Sequence, residues 1–175
     1  MQPREVMDRS DAVDQANDES RLRVTVPAAV DAERAAQILG PGRDAWLGEL
    51  VTPASGPEGT ARHLLDLELR VTDAAPRVAF HKAALVDVGP LRRDPSSGAV
   101  WVELSWRAAT LTPLFPVFAG TLRWEHGQLK LDGYYAPPGG AIGVMADRLL
   151  LNVAARATGR RLLERIAEAM ARPVR

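Results

Sequence analysis

A long helix-forming segment near the end of the chain limits the fold more than any other feature. Residues 141–172 have helical periodicity, begin after Gly139-Gly140 and stop before Pro173. They predict one α-helix of about 32 residues, or roughly 48 Å at the standard helical rise. That is long for a chain of 175 residues. Its apolar face has to be covered, and the strands predicted before it are the surface on which it should pack.

The segment after residue 20 predicts one strand and two short helices. Alternating apolar and polar residues over 21–27 predict a half-buried strand. Asp31 is a candidate N-cap for a helix that ends at Gly40. A second short helix is predicted over 44–51, before a loop rich in Pro and Gly. The side chains that this second helix is expected to bury are Trp46, Leu47 and Leu50.

Five strands are predicted between that loop and the long helix. Residues 77–88 are the least regular, because Lys82 interrupts an apolar face, and a bulge near Ala83 and Ala84 would reconcile the two halves. The pair His126-Gly127 predicts a tight hairpin between the last two strands, since Gly accommodates positive φ. The five predicted strands are 63–72, 77–88, 99–109, 118–126 and 128–135.

Composition and charge exclude several classes of function. The 22 basic and 22 acidic residues cancel, so the chain lacks the basic excess that generic binding to nucleic acid or anionic membranes requires. The absence of cysteine excludes disulfides, thiolate metal sites and cysteine nucleophiles. No signal-peptide core and no bilayer-length apolar run occurs, which predicts a soluble, cytoplasmic protein without integral membrane association. Residues 1–20 are polar and predict a disordered tail before a single domain over 21–172.

The face of the long helix that should meet the sheet changes in character along its length. Its middle carries Asn152, Ala155 and Gly159, with Arg148 one turn earlier. Gly inside a helix costs roughly 1 kcal/mol relative to Ala, so Gly159 predicts either a close approach of the helix to the sheet or space beneath it. If Arg148 is buried, it has to meet a carboxylate or a ligand group; otherwise its head reaches the sheet end and pairs with a surface acid. The C-terminal part of the face is bulky, with Leu162, Leu163, Ile166 and Met170.

Several segments carry a resemblance to a known superfamily. They are Trp106-Arg107-Ala108, residues 114–120, residues 131–140 with their Gly-Tyr-Tyr and Pro-Pro-Gly-Gly sequences, and Gly143 with Asp147 and Leu149. With the order of elements, they resemble bacterial START-like (SRPBCC) proteins over residues 21–172. The resemblance implies an α+β helix-grip fold: a curved six- or seven-stranded antiparallel sheet wrapped around a long C-terminal helix, with two short helices after the first strand. Since the superfamily has six strands after those helices, one of the five predicted strand segments should divide into two.

The resemblance also implies a class of function. Known members bind lipids, sterols, polyketides or hormones in an apolar cavity between helix and sheet, so a hydrophobic small molecule is the expected partner. The first alternative is an enzyme of the polyketide cyclase or dehydratase type, in which Arg148 or Tyr135 polarises a carbonyl. The second is a protein-interaction module that uses residues 1–20 or the apolar flank over 149–153. Both a monomer and a homodimer are compatible with the sequence.

The candidate ligand-binding residues are those assigned to the inner face of the strands and helix. No catalytic residue, metal site or cofactor is predicted, because the three histidines lack ligand spacing and are interpreted as ordinary surface or strand residues. Hydrolase, Walker A and dinucleotide motifs are absent. An apolar core without a ligand would have the same inner residues. The candidate site consists of Phe80, Val102, Leu104, Trp106, Phe118, Leu122, Trp124, Tyr135, Met145, Arg148, Asn152 and Ala155.

Overall fold

A computed structural model shows an antiparallel sheet with a long helix packed against it. The strands are β1 (Arg21–Pro27), β2 (Glu49–Thr52), β3 (Ala61–Arg70), β4 (Ala79–Val88), β5 (Arg92–Arg93), β6 (Val100–Ala108), β7 (Val117–Glu125) and β8 (Gln128–Ala136). The helices are α1 (Ala32–Leu39), the 3-10 helix Arg43–Ala45 and α2 (Val144–Ala171). The structure describes the backbone of residues 21–55, 58–70, 79–109, 117–136 and 144–173, and the side chains of 21–55, 58–66, 83–109, 117–135 and 155–173.

The order of the strands places the first strand beside the last. It runs β1-β8-β7-β6-β4-β3-β2, with the two-residue β5 beside β6. The pairings along this path are antiparallel, and α2 packs against β1, β3 and β8. This curved sheet and its long helix confirm the predicted helix-grip α+β fold. The tail predicted for residues 1–20 lies outside the described residues.

One strand lies where a helix was predicted. Residues 44–51 do not form a second α-helix: the 3-10 helix Arg43–Ala45 is followed by β2. Trp46 and Leu47 are buried as predicted, whereas Leu50 is 49% exposed on the edge strand. An isolated eight-residue helix is marginal, and this segment gains a ladder of hydrogen bonds by pairing with β3 instead. The additional strand that the resemblance requires after the helices is therefore β2. The prediction that one of the longer segments divides into two strands is wrong.

The bulge predicted in the fourth strand is also wrong. Within the described β4, pairing with β3 runs without a shift from Ala79 to Val88, and the pairing with β6 is equally regular. Alternation continues through Ala84, Val86 and Val88, which are all buried. The Lys82 side chain, which motivated the bulge, lies outside the described side chains.

The ends of the two α-helices are tied together by one arginine. The Asp31 carboxylate accepts a hydrogen bond of 2.7 Å from the Arg34 backbone N–H, which confirms the predicted N-cap of α1. The Arg34 guanidinium donates to the backbone carbonyls of Ala169, Met170 and Arg172 at the end of α2. A cation that satisfies C-terminal carbonyls stabilises a helix through both its hydrogen bonds and the helix dipole.

The predicted hairpin sets the register of the last two strands. His126 and Gly127 have φ values of 49° and 73°, the left-handed conformation that a two-residue type I′ turn requires. From Glu125↔Gln128 the register continues to Val117↔Ala136. Gly120 therefore lies opposite Gly133, and Phe118 lies opposite Tyr135. In the part of α2 and α1 that the structure describes, no helix has the length and hydropathy needed to span a membrane.

Candidate ligand-binding site

A single row of side chains crosses five neighbouring strands of the sheet. Its members pair directly in the register, and directly paired residues of antiparallel strands project to the same face. Each is less than 10% exposed, and all but the histidine belong to the same apolar core as Leu163 and Ile166 of α2. The row is therefore on the face that α2 covers. We call it the aromatic row, and it consists of His63, Val86, Trp106, Phe118 and Tyr135.

Two glycines determine where the ring of Phe118 lies. A Cβ atom placed on Gly120 or on Gly133 would lie only 2.7 Å from the Phe118 Cζ atom. The glycine pair thus makes room for the ring, which leans over the pair. Trp106 stacks on Phe118, with ring centroids 4.1 Å apart and an interplanar angle of 19°, a geometry that stabilises aromatic pairs.

On β4 and β6, the other side of the aromatic row carries small residues. In the register Leu65 lies opposite Ala84, and Ala84 lies opposite Ala108. These positions are one alternation away from the row, in the direction opposite to the glycine pair. Since Phe118 leans toward the glycines, its ring does not cover Ala84 and Ala108, although Ala84 is 0% exposed. The side chains that β4 and β6 contribute to the inner face are therefore small along this strip.

The four tryptophans differ in how their indole N–H groups are satisfied. Trp46 Nε1 donates to the Ile38 carbonyl at 3.0 Å, and Trp124 Nε1 donates to the Ala28 carbonyl at 3.1 Å. Trp106 Nε1 is buried and, among the described groups, has no acceptor. Trp101 is partly exposed on the outer face, where the Arg123 guanidinium lies 5.6 Å from its ring centroid. The unsatisfied indole is thus the one in the aromatic row.

The other unsatisfied group of the row is an imidazole nitrogen. His63 is 1% exposed, and its Nδ1 lies 3.4 Å from the Gly48 carbonyl oxygen. A carbonyl oxygen only accepts, so a hydrogen bond to it requires the proton on Nδ1, and in that tautomer Nε2 is an acceptor. In the described part of the chain, no donor reaches Nε2. Two further buried atoms without a partner, Arg123 Nε and Thr158 Oγ1, belong to residues outside the row.

Sequence reasoning did not select His63. His63 lies two residues before Leu65 on β3, so the side chains of both residues lie on the inner face of the sheet. The interpretation as an ordinary histidine holds for His126, which is exposed in the hairpin turn. Among the described residues, no group of three or more His, Cys, Asp or Glu side chains could hold a metal ion.

The helix lies close to the sheet at Gly159. A Cβ atom at this position would lie 3.1 Å from Leu131 Cδ2, 3.4 Å from Leu22 Cδ2 and 3.5 Å from Val24 Cγ2. Of the two predicted reasons for a glycine here, the structure supports close approach to the sheet. No room for a ligand is left beneath this turn of α2, where β1 and β8 meet the helix.

The predicted site residues divide into several groups in the structure. Trp106, Phe118 and Tyr135 share the aromatic row, whereas Trp124 pairs with Val100 three rows away, beside the α1 end of the sheet. The side chains of four predicted site residues lie outside the described side chains: Phe80, Met145, Arg148 and Asn152. The remaining four are buried and lie between these groups or on α2: Val102, Leu104, Leu122 and Ala155.

Charged side chains of the strands pair on the outer face. Asp132 accepts hydrogen bonds from Arg21 at 2.9 and 3.1 Å and from Arg23 at 3.1 Å. The hydrogen bonds from Arg21, together with those from Arg23, lower the pKa of the Asp132 carboxyl. Arg62 pairs with Asp87 in the same way on β3 and β4. These pairs alternate with the inner residues, so they leave the aromatic row uncharged.

A separate open groove lies at the C-terminal end of α2. It has a volume of about 700 Å³ and runs between residues 26–30 and the last turns of the helix. Arg160, Glu164 and Glu168 line it. It is on the far side of Gly159 from the aromatic row, and none of the predicted site residues lines it.

Comparisons with known proteins agree with this architecture. No protein family matches the chain by sequence. No curated protein matches it either. The Zhui aromatase/cyclase from Streptomyces sp. R1128 has a TM-score of 0.55 at 15% identity, over 89% of this chain and 95% of that chain.

Two further solved structures are similar at lower TM-scores. A STAR-related lipid transfer protein from Xanthomonas axonopodis has a TM-score of 0.43 at 15% identity, over 83% of this chain and 85% of that chain. Ara h 8.0201 has a TM-score of 0.45 at 13% identity, over 86% of this chain and 96% of that chain. The chain has the helix-grip fold of START-like (SRPBCC) proteins.

Proposed function

We propose that the protein binds a hydrophobic small molecule between α2 and the aromatic row. The observation that carries this proposal is the position of Phe118, whose ring lies over the glycine pair. In this position the Phe118 ring does not cover the strip formed by Ala84 on β4 and Ala108 on β6. A surface with wide aromatic rings on one side and small residues on the other suits a flat apolar ligand.

Close packing at Gly159 supports a position for the ligand under the N-terminal half of α2. The turns after Gly159 approach residues 26–30. The turns before it therefore run toward the opposite end of the sheet, where the aromatic row lies. Any pocket beneath the helix then lies near Ala155 and the backbone positions of Asn152, Arg148 and Met145.

The fold of the molecule supports the same class of ligand. The similar structures include proteins described as an aromatase/cyclase and as a lipid transfer protein. Their likeness concerns the fold, so the ligand of this chain has to be identified directly. Native mass spectrometry of protein purified from cells, followed by organic extraction, should reveal a bound apolar molecule. As a second measurement, the folded protein is titrated with 2-ethylnaphthalene, a flat apolar probe. The proposal would be contradicted if no ligand copurifies and this probe does not bind.

A pair of matched substitutions locates the ligand. Ala108→Leu adds volume beside the aromatic row, where the ligand is expected to lie. Because the larger side chain overpacks this position, the affinity for 2-ethylnaphthalene should fall about tenfold. Ala119→Leu makes the same change at an exposed position on β7. It should leave both affinity and fold unchanged. Equal affinities of the two variants would place the ligand elsewhere.

One observation favours an enzyme of the polyketide cyclase or dehydratase type as a second candidate. His63 Nε2 is an acceptor without a partner on the sheet face that also carries Tyr135, and such a nitrogen can act as a base. In this scheme the Tyr135 hydroxyl or Arg148 polarises a carbonyl. Tyr135→Phe and Arg148→Ala should then abolish turnover of an added polyketide while the fold persists. Unchanged rates in both variants would exclude these two roles.

A further inference from the structure

We propose that His63 and Trp106 recognise a ligand that carries both a hydroxyl and a carbonyl oxygen on an apolar frame. This inference rests on the proposed function and specifies its ligand. The two side chains lie in the same row, are at least nine-tenths buried, and each keeps one ring nitrogen without a partner among the described groups. Buried polar groups are nearly always paired, so two orphans in one row require a common explanation.

The chemistry of the two nitrogens determines what each can bind. Trp106 Nε1 only donates, so it requires an acceptor. In the tautomer in which Nδ1 donates to the Gly48 carbonyl, His63 Nε2 accepts. A ligand therefore has to present an acceptor to Trp106 and a donor to His63. The Trp106 indole carries no charge that would offset burial of a carboxylate, which favours a neutral carbonyl as its acceptor.

The register determines how far apart the backbones of His63 and Trp106 lie. One strand, β4, lies between β3 and β6, and Val86 is the residue of the row between His63 and Trp106. Two strand spacings place the Cα atoms of His63 and Trp106 about 10 Å apart. This distance is similar to the span between substituents at opposite ends of two fused aromatic rings. A flat two-ring molecule therefore has the length to reach from the His63 strand to the Trp106 strand.

The comparison among tryptophans argues against a purely structural explanation. Trp46 and Trp124 are buried to a similar degree, and both donate to backbone carbonyls. The fold thus supplies acceptors where an indole only packs. Trp106 stacks on Phe118 and lacks such an acceptor.

Four naphthalene probes test the inference by calorimetric titration of the full chain. They are 6-hydroxy-2-acetylnaphthalene, 2-acetylnaphthalene, 6-ethyl-2-naphthol and 2-ethylnaphthalene, which carry both groups, the carbonyl, the hydroxyl or neither. The hydroxy ketone should bind most tightly. Each hydrogen bond should contribute about fivefold in affinity, the typical effect of a neutral pair.

Two variants assign each contact to its residue. Trp106→Phe keeps an aromatic ring against Phe118 and should weaken binding of the two ketones about fivefold, without a comparable selective loss for the other probes. His63→Leu should selectively weaken binding of the two naphthols. The matched controls are Trp101→Phe, on the outer face, and His126→Asn, in the hairpin turn, and both should bind all probes as the wild type does. Circular dichroism verifies that each variant is folded.

The outcomes separate this inference from the proposed function. If all probes, including 2-ethylnaphthalene, bind the wild type equally and both variants weaken them uniformly, the donor–acceptor pair is wrong and hydrophobic binding stands. If no probe binds the folded wild type, both proposals are overturned. If His63→Leu does not fold, the probe series on the wild type and on Trp106→Phe still decides. A carbonyl-dependent gain that persists in Trp106→Phe would overturn the assignment to the indole.

Discussion

The sheet beneath Gly159 and the aromatic row satisfy their buried groups in different ways. At Gly159 the helix lies against Leu22, Val24 and Leu131, and near its end the α2 carbonyls are capped by Arg34. In the aromatic row, two ring nitrogens have no described partner, and the strip beside the row carries the small residues Ala84 and Ala108. In the first region the chain itself supplies the packing and the helix cap, and Thr158 Oγ1 is its one buried atom without a described partner. The second has features that an apolar ligand with polar ends would complete.

The largest expected effect is the loss of a core side chain in the closely packed region. Leu163→Ala removes a side chain of α2 that is 0% exposed. We expect a loss of about 3 kcal/mol in the free energy of unfolding, because the packed surroundings cannot fill the cavity. Urea denaturation measures it, with Leu50→Ala at the exposed edge as the control that should change little. A loss below about 1 kcal/mol would show that this region is not closely packed.

A smaller effect is expected at the glycine pair beneath Phe118. In Gly133→Ala the new Cβ would lie 2.4 Å from the Ala119 carbonyl oxygen and 2.7 Å from Phe118 Cζ. The strands and the ring have to move, which should cost about 2 kcal/mol of stability and displace Phe118 toward the small-residue strip. Affinity for 2-ethylnaphthalene should fall with stability. In Gly89→Ala the nearest atom lies at 3.4 Å, an ordinary contact, so this control should retain both.

Gly159→Ala balances two opposing effects. Helix propensity favours Ala by about 1 kcal/mol, while the added methyl meets Leu131 Cδ2 at 3.1 Å inside a fully buried cluster. Overpacking of this kind costs roughly 1–3 kcal/mol, so we expect a net loss of about 1 kcal/mol. The denaturation midpoint at a constant m-value measures it. A gain in stability would show that the helix stands away from the sheet here and would weaken the contrast between the two regions.

The smallest effect compares two buried tryptophans. Trp124→Phe removes the indole hydrogen bond to the Ala28 carbonyl, which keeps only the Val30 N–H as donor, whereas Trp106→Phe removes a donor that has no described acceptor. Trp124→Phe should therefore lose about 0.5–1 kcal/mol more stability than Trp106→Phe, the net value of one neutral hydrogen bond. Thermal unfolding of both variants without ligand measures the difference. Equal losses would indicate that the Trp106 N–H is already satisfied in the free protein.

Most of the fold could be predicted because its signals are local. Alternation predicted β1 and β6, Asp31 predicted the start of α1, and His126-Gly127 predicted the hairpin. The strand β2 was missed because four exposed residues at an edge carry no alternating pattern. Its β structure comes from pairing with β3, a tertiary interaction.

The site was harder to predict because it depends on register between distant strands. The sequence placed Trp106, Phe118 and Tyr135 on inner faces, but only the strand order brings His63 into the same row. One relation was available and unused: a two-residue turn at His126-Gly127 already pairs Gly120 with Gly133. Whether an indole N–H finds an acceptor depends on the backbone nearby, which periodicity does not specify.

The pairing of β1 with β8 has a consequence for the synthesis of the protein. Arg21 and its partner Asp132 are 111 positions apart, so the first strand leaves the ribosome long before its neighbour exists. At ordinary rates of translation this interval lasts on the order of ten seconds. Throughout it, the apolar side of β1 has neither the strand nor the helix that later covers it. A nascent chain of this topology therefore exposes β1 to chaperones and to misassembly for longer than its later strands, and its sheet can close only after β8 has been synthesised.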